Sequence, residues 1–116
     1  MTAGDLKLQD YVQHMIEATR LAQSYVAGMS KTEFLADRRT QQAVVLNLIT
    51  LGEIATRLVS EHPDFATSNP SLPLRQMRGM RNRMAHGYFD INLEIVWDTV
   101  QTSLPELDRQ LHNVKA

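Results

Sequence analysis

A chain of 116 residues, 43% hydrophobic and 22% charged, has the composition of one globular domain, residues 1–116, built on a single core. It has no cysteine, which excludes a disulfide framework, a thiolate metal site and a Cys nucleophile. The start, MTAGDLKLQD, lacks an apolar signal region and no segment reaches about 18 consecutive apolar residues, so a cytoplasmic protein with no membrane partner is expected.

Asp5 to about Val26 reads as the first helix. Leu8, Tyr11, Val12, Met15, Thr19, Ala22 and Val26 recur at three- and four-residue steps, with Gln9, Asp10, Gln13, Glu17 and Arg20 on the other side. Gly28 ends it, and Ser30 with Glu33 predicts a capping box for a short helix from Lys31 to about Ala36. Asp37 opens the longest apolar segment, reaching about Glu61, in which Ala43, Val44, Val45, Leu46, Leu48, Ile49, Leu51, Ile54, Ala55, Leu58 and Val59 cover most of the circumference. Such a helix is central, or is buried by a second subunit. Gly52 in its interior costs roughly 1 kcal/mol against Ala, which predicts close approach of another helix there.

His62-Pro63 closes that helix, and PDFATSNPSLP predicts a loop. The next helix runs from about Leu72 to His86, with Gly87 as its stop signal. Asp90 or Asn92 can cap the last helix. There Leu93, Trp97, Val100, Leu104, Leu107, Leu111 and Val114 form a seam at steps of four and three, read as an intramolecular bundle face over a coiled coil. Pro105 within it predicts a kink. The fold class is all-α: an antiparallel bundle of four main helices plus a short helix.

The chemistry concentrates in RQMRGMRNRMAHGYFD, residues 75–90. Net charge is −1, yet residues 75–88 carry four Arg and no acid, so the rest of the chain stands at −5. That pattern is a local anion site and not a nucleic-acid coat. On a wheel of about 100° per residue with Arg81 at zero, Arg78, Asn82, Arg75 and His86 fall between about 60° and 140°, while Met80, Met84 and Met77 fall between about 260° and 320°. The methionines are expected in the core. The polar arc offers guanidinium groups, an amide and an imidazole that can exchange protons near neutral pH.

RNA cleavage by transesterification needs little more than this. The substrate's 2′-OH is the nucleophile, a His moves a proton, and an Arg holds the phosphate and its developing charge. Arg81 and His86 are the candidate catalytic pair; Arg78, Asn82 and Tyr88 are candidate substrate contacts. One His serves one proton transfer and the reaction has two, so a homodimer is expected to complete the site. No cofactor or metal is called for. Asp90, Glu94 and Asp98 lie four apart, but acids are favourable in the first turns of a helix without a metal; His14, His62 and His112 show no ligand spacing. The Arg-x4-His spacing itself is weak, because Arg57 and His62 repeat it. A purely structural role also stays open, with Arg81 paired to an acid such as Glu53 and His86 satisfied by helix-end carbonyls.

GMRNRMAHGYFDINLEIVW closely resembles the HepT-like toxins of the HEPN superfamily, whose signature R-x4-H-x-Y reads here as Arg81, His86 and Tyr88, with Asn82 after the Arg. The resemblance extends to YVQHMIEA, FLADRRTQQAVVLNLITLGEIA and SLPEL. One departure is Leu74, where relatives commonly carry Trp after Pro. The resemblance implies a HEPN-type bundle and a dimeric, metal-independent ribonuclease toxin, partnered by a minimal nucleotidyltransferase (MNT) antitoxin that can transfer AMP to Tyr88. Bulk and negative charge at that position would oppose an RNA phosphate. The alternative is a non-catalytic helical subunit that presents nucleotide or substrate to a nucleotidyltransferase.

Overall fold

The computed structural model describes residues 3–87 and 90–114, with side chains from residue 8 onward. In order these form α1 (Ala3–Tyr25), α2 (Lys31–Leu35), α3 (Arg38–Glu61), α4 (Pro63–Ser68), α5 (Leu74–His86), α6 (Leu93–Asp98), a π-helical segment (Thr99–Ser103) and α7 (Leu104–His112). The last three run on as one long helix. With α1, α3 and α5 it gives four main helices and no strand among the described residues, the expected all-α class.

α1 buries the stripe its spacing predicts: Tyr11, Met15, Ala18, Ala22 and Val26. Thr19 belongs to that stripe and is wholly buried; its hydroxyl donates to the Met15 carbonyl at 2.7 Å, so the buried hydroxyl is paired within its own helix. Gly28 then turns the chain at φ 80°, a left-handed conformation that costs glycine little. The capping box of α2 is present in both directions. The Ser30 N–H donates to Glu33 Oε1 at 2.8 Å and the Glu33 N–H donates to Ser30 Oγ at 3.1 Å.

Asp37 caps α3 in the same manner, accepting from the Thr40 N–H at 3.1 Å. The Ser30 amide holds the Glu33 carboxyl below its ordinary range, and the Thr40 amide does so for Asp37. A depressed folded-state pKa adds stability above the ordinary carboxylate range, and that stability is lost as pH falls through the folded value. The thermal midpoint is therefore expected to drop on acidification through the carboxylate range. Melting curves of Glu33→Gln and Asp37→Asn across that range should show a shallower drop than wild type.

α3 is the central helix. It packs on α1 along one side and on α5 along another, burying Val44, Val45, Leu48, Leu51, Ile54, Ala55 and Leu58. It is long and apolar enough to cross a membrane by length and composition alone. Here it acts as a core helix that carries Glu53 and Arg57, with 44% of its most apolar stretch buried and Leu46 left 62% exposed.

One expectation changes. Residues 63–68, expected as loop, form α4: Pro63 suits the first turn, where no N–H is needed, and Phe65 anchors the turn in the core. The buried Asn69 closes it, donating to the Phe65 carbonyl at 3.0 Å. Pro105 alters the hydrogen bonding of the turn before it. That turn widens, so that the Leu104 N–H bonds to the Thr99 carbonyl five residues back. The seam survives this change: Val100, Leu104, Leu107 and Leu111 are buried, with Leu93, Trp97 and Val114 packed at its edges. Trp97 meets Phe34 of α2 with ring centroids 5.5 Å apart. Asn92 is the cap of α6, its Oδ1 accepting from the Glu94 and Ile95 amides. At the start of α5 Leu74 is buried, so the smaller side chain serves as core there.

Candidate active site

α5 packs almost wholly on α3, and one position fixes how closely. A Cβ on Gly52 would overlap Arg81 Cβ and stand 2.7 Å from the Met77 carbonyl oxygen. The missing side chain lets the backbones of the two helices approach, as the interior glycine predicts. Met84 is buried, and Met77 and Met80 pack against the core at the same interface.

That close crossing brings Arg81 against the residue after Gly52. Arg81 Nε donates to Glu53 Oε1 at 2.7 Å, and Nη2 pairs with the same oxygen. Nη1 donates to Asn82 Oδ1 at 2.9 Å. All three guanidinium nitrogens are thus engaged, which fixes the plane of a side chain only 30% exposed. Arg81 does not share the open face with His86, as the helix wheel suggests. It points across to α3, and its positive charge is balanced there by Glu53.

His86 is the last residue of α5 and is exposed. Five residues separate it from Arg81, about 7.5 Å along the axis. Gly87 ends the helix by donating its N–H to the Arg83 carbonyl at 2.8 Å. It does so at φ −114°, outside the left-handed region; a Cβ there would come within 3.0 Å of that same carbonyl oxygen. Closeness, not handedness, is what calls for glycine. Tyr88, the remaining candidate, lies outside the described residues.

The open side of α5 carries Arg75, Arg78, Asn82 and Arg83, all exposed or half-exposed. Among the described residues no carboxylate lies within 4 Å of Arg75, Arg78 or Arg83. Sequence reasoning places Arg83 outside the polar arc and misses it; the face opposite α3 is where it projects.

The second Arg-x4-His pair is built differently. Arg57 hydrogen-bonds Tyr11, and that bond, with the charges of Glu61 and Glu53, raises its pKa further above the ordinary range. Tyr11 in turn donates to Glu61 Oε1 at 3.0 Å. The His62 ring packs edge-on to Tyr11, with centroids 6.1 Å apart, and its buried Nε2 has no hydrogen-bond partner among the described residues. Its backbone N–H bonds to the Leu58 carbonyl, and its carbonyl accepts from Phe65. Arg57 and His62 tie α1, α3 and α4 together. Of the acids spaced four apart, Glu94 pairs with Lys31 at 3.4 Å, which joins α6 to α2. Among the described residues no three His, Cys, Asp or Glu gather closely enough to hold a metal ion.

The arrangement on α5 is an anchored guanidinium, an amide bonded to it and an exposed imidazole one turn on. The family description "Ribonuclease HepT-like" matches residues 15–114 and so spans all of these. The chain belongs to the ribonuclease HepT-like family. It is 29% identical over 107 residues to a protein of Thermococcus cleftensis named "Probable ribonuclease HepT", covering 92% of this chain and 94% of that one. It is 29% identical over 104 residues to a "Putative RNase" of Caldanaerobacter subterraneus subsp. tengcongensis, covering 90% of each chain. A "Putative RNase" of Methanocaldococcus jannaschii is 33% identical over 90 residues, 78% of this chain and 72% of that one. No solved structure gives a significant match. Membership in the HepT-like family accords with the all-α bundle and with the resemblance that residues 79–97 carry.

Proposed function

We propose that this HepT-like chain is a metal-independent endoribonuclease that cleaves RNA by transesterification. One observation carries the reading: Arg81 is locked by Glu53 and bonded to Asn82, and Asn82 stands about one helical turn from an exposed His86 at the open end of α5. In the reaction the substrate 2′-OH attacks phosphorus and the bond to the 5′-oxygen breaks, leaving a 2′,3′-cyclic phosphate and a 5′-hydroxyl. One proton leaves the 2′-OH and one reaches the 5′-oxygen. His86 serves one transfer, and His86 of a second copy serves the other, which makes a homodimer the working unit.

Arg81 and Asn82 present the remaining guanidinium and amide hydrogens to the phosphate, with Arg78 as a further contact. Glu53 orients Arg81 and is a positioning residue. In this reading the chain is the cytoplasmic toxin of a pair, held in check by an MNT-type nucleotidyltransferase that adds AMP to Tyr88. The added group brings bulk and negative charge, which oppose an RNA phosphate.

The test is RNA turnover by purified protein in excess EDTA, with analysis of the product ends. Cleavage to cyclic phosphate and 5′-hydroxyl termini is expected. A folded protein that binds mononucleotides through Arg78 and Arg81, yet turns over no RNA, would be a nucleotide-binding subunit instead.

A further inference from the structure

Gly79 lies in the middle of α5, where only proline suits a helix less. Nothing described within the chain requires it. A Cβ there would meet just the Arg83 guanidinium, at 3.7 Å, an ordinary contact. Gly52 is different, because the opposing helix fills the space a side chain would need.

The position of Gly79 suggests what does require it. At about 100° per residue, Arg75, Gly79, Asn82 and His86 fall within about 60° of one another, a single row along the open side of α5. Arg78 and Arg83 lie on either side of that row. Arg75, Arg78 and Arg83 have no carboxylate partner among the described residues, whereas the charge of Arg81 is taken up by Glu53. The result is a cationic strip leading away from His86, with a single position of bare helix backbone, Gly79, beside the Arg83 guanidinium.

We infer that this strip is a track for single-stranded RNA extending beyond the cleavage point. The sugar–phosphate chain passes over Gly79, close to the helix backbone, and Arg83, Arg78 and Arg75 take successive phosphates. This rests on the ribonuclease reading and adds a substrate length to it. The rise from Arg75 to His86 is about 16 Å along the helix, roughly two to three nucleotides of an extended strand. A strand with several nucleotides on one side of the scissile bond is therefore the preferred substrate, and a dinucleotide a poor one. The flanking charge favours RNA over a second copy of α5: a two-fold contact centred on Gly79 would gather the three arginines of each copy with no acid between them, whereas phosphates neutralise them.

The experiment uses the full chain carrying His86→Ala, so that RNA is bound without turnover, and follows the anisotropy of a labelled oligonucleotide of about ten residues. Gly79→Leu is expected to weaken binding about tenfold or more, and Arg75→Ala about three- to tenfold, with the log–log salt slope falling by about 0.7 for each phosphate that is no longer neutralised. A dinucleotide, confined to the His86 end, should bind the same to all three proteins. Gly79→Ala should raise the thermal midpoint by roughly 3–6 °C, because the methyl group has room. Two results overturn the track: Gly79→Leu protein that binds the oligonucleotide as well as its parent, or a loss of binding that tracks a change in oligomeric mass by sedimentation. A wild-type chain that neither cleaves nor binds RNA removes the ribonuclease reading and the track together. One that cleaves dinucleotides as fast as long strands removes the track alone.

Discussion

Gly52→Ala is expected to destabilise the protein by roughly 2–3 kcal/mol and to lower its thermal midpoint by about 10 °C. The direction is informative because helix propensity acts the other way. Alanine favours a helix interior over glycine by about 1 kcal/mol, so any net loss measures the clash and not the helix. The new methyl would overlap Arg81 Cβ and press on the Met77 carbonyl oxygen, and neither is the free end of a flexible chain. α5 would have to back away from α3. The Arg81–Glu53 pair spans that gap, so RNA cleavage should fall along with stability. Gly79→Ala is the matched control: the same substitution, in a helix, with nothing but a guanidinium at 3.7 Å. Calorimetry of the two variants should give shifts of opposite sign. If both are stabilising, α3 and α5 do not cross at Gly52.

The contrast between the two glycines shows what the chain's sequence reveals and what it withholds. Local features are legible. The spacing of Tyr11, Met15, Ala22 and Val26 predicts the buried side of α1, and Ser30 with Glu33 predicts a cap that forms in both directions. Gly52 predicts close approach because an apolar helix interior offers no other reason for glycine. α4 is not legible, since six residues show no period and a buried Phe65 is what holds them. Nor is the widened turn at Thr99–Ser103, which answers to Pro105 without containing it.

The direction of Arg81 is hidden for a different reason. A helix wheel sorts residues relative to one another but does not say which arc meets the neighbouring helix. Arg81 lies only about 40° from Met77, on the flank of the buried stripe. The neighbour decides, and its Glu53 draws Arg81 inward. The same rotation turns Arg83 outward. The site is therefore legible as a set of residues and not as a geometry: the expected partner Glu53 is there, and it holds in place the arginine that the proposed chemistry uses.

Two histidines, each five residues after an arginine, give the sharpest separation of site from scaffold. His86→Ala is expected to reduce RNA cleavage by about 10²- to 10⁴-fold, the usual contribution of a proton-transferring side chain. The same variant should melt within about 0.5 kcal/mol of wild type, because its imidazole is exposed at the end of α5. At His62 the expected pattern reverses. Its ring packs against Tyr11, with Nε2 buried and no partner among the described residues. His62→Ala should remove that packing and destabilise by roughly 1–2 kcal/mol while leaving the rate per folded molecule unchanged. His62→Phe keeps a ring of similar bulk and removes a buried nitrogen, so its stability should equal or exceed that of wild type. Measured together, initial cleavage rates in EDTA and thermal midpoints place each histidine by its own signature. Equal losses of rate at both positions, with both proteins folded, would mean that Arg57–His62 shares in the chemistry and that α5 is not the whole site. A His86→Ala protein with full activity would leave α5 as a binding surface and move the proton transfer elsewhere.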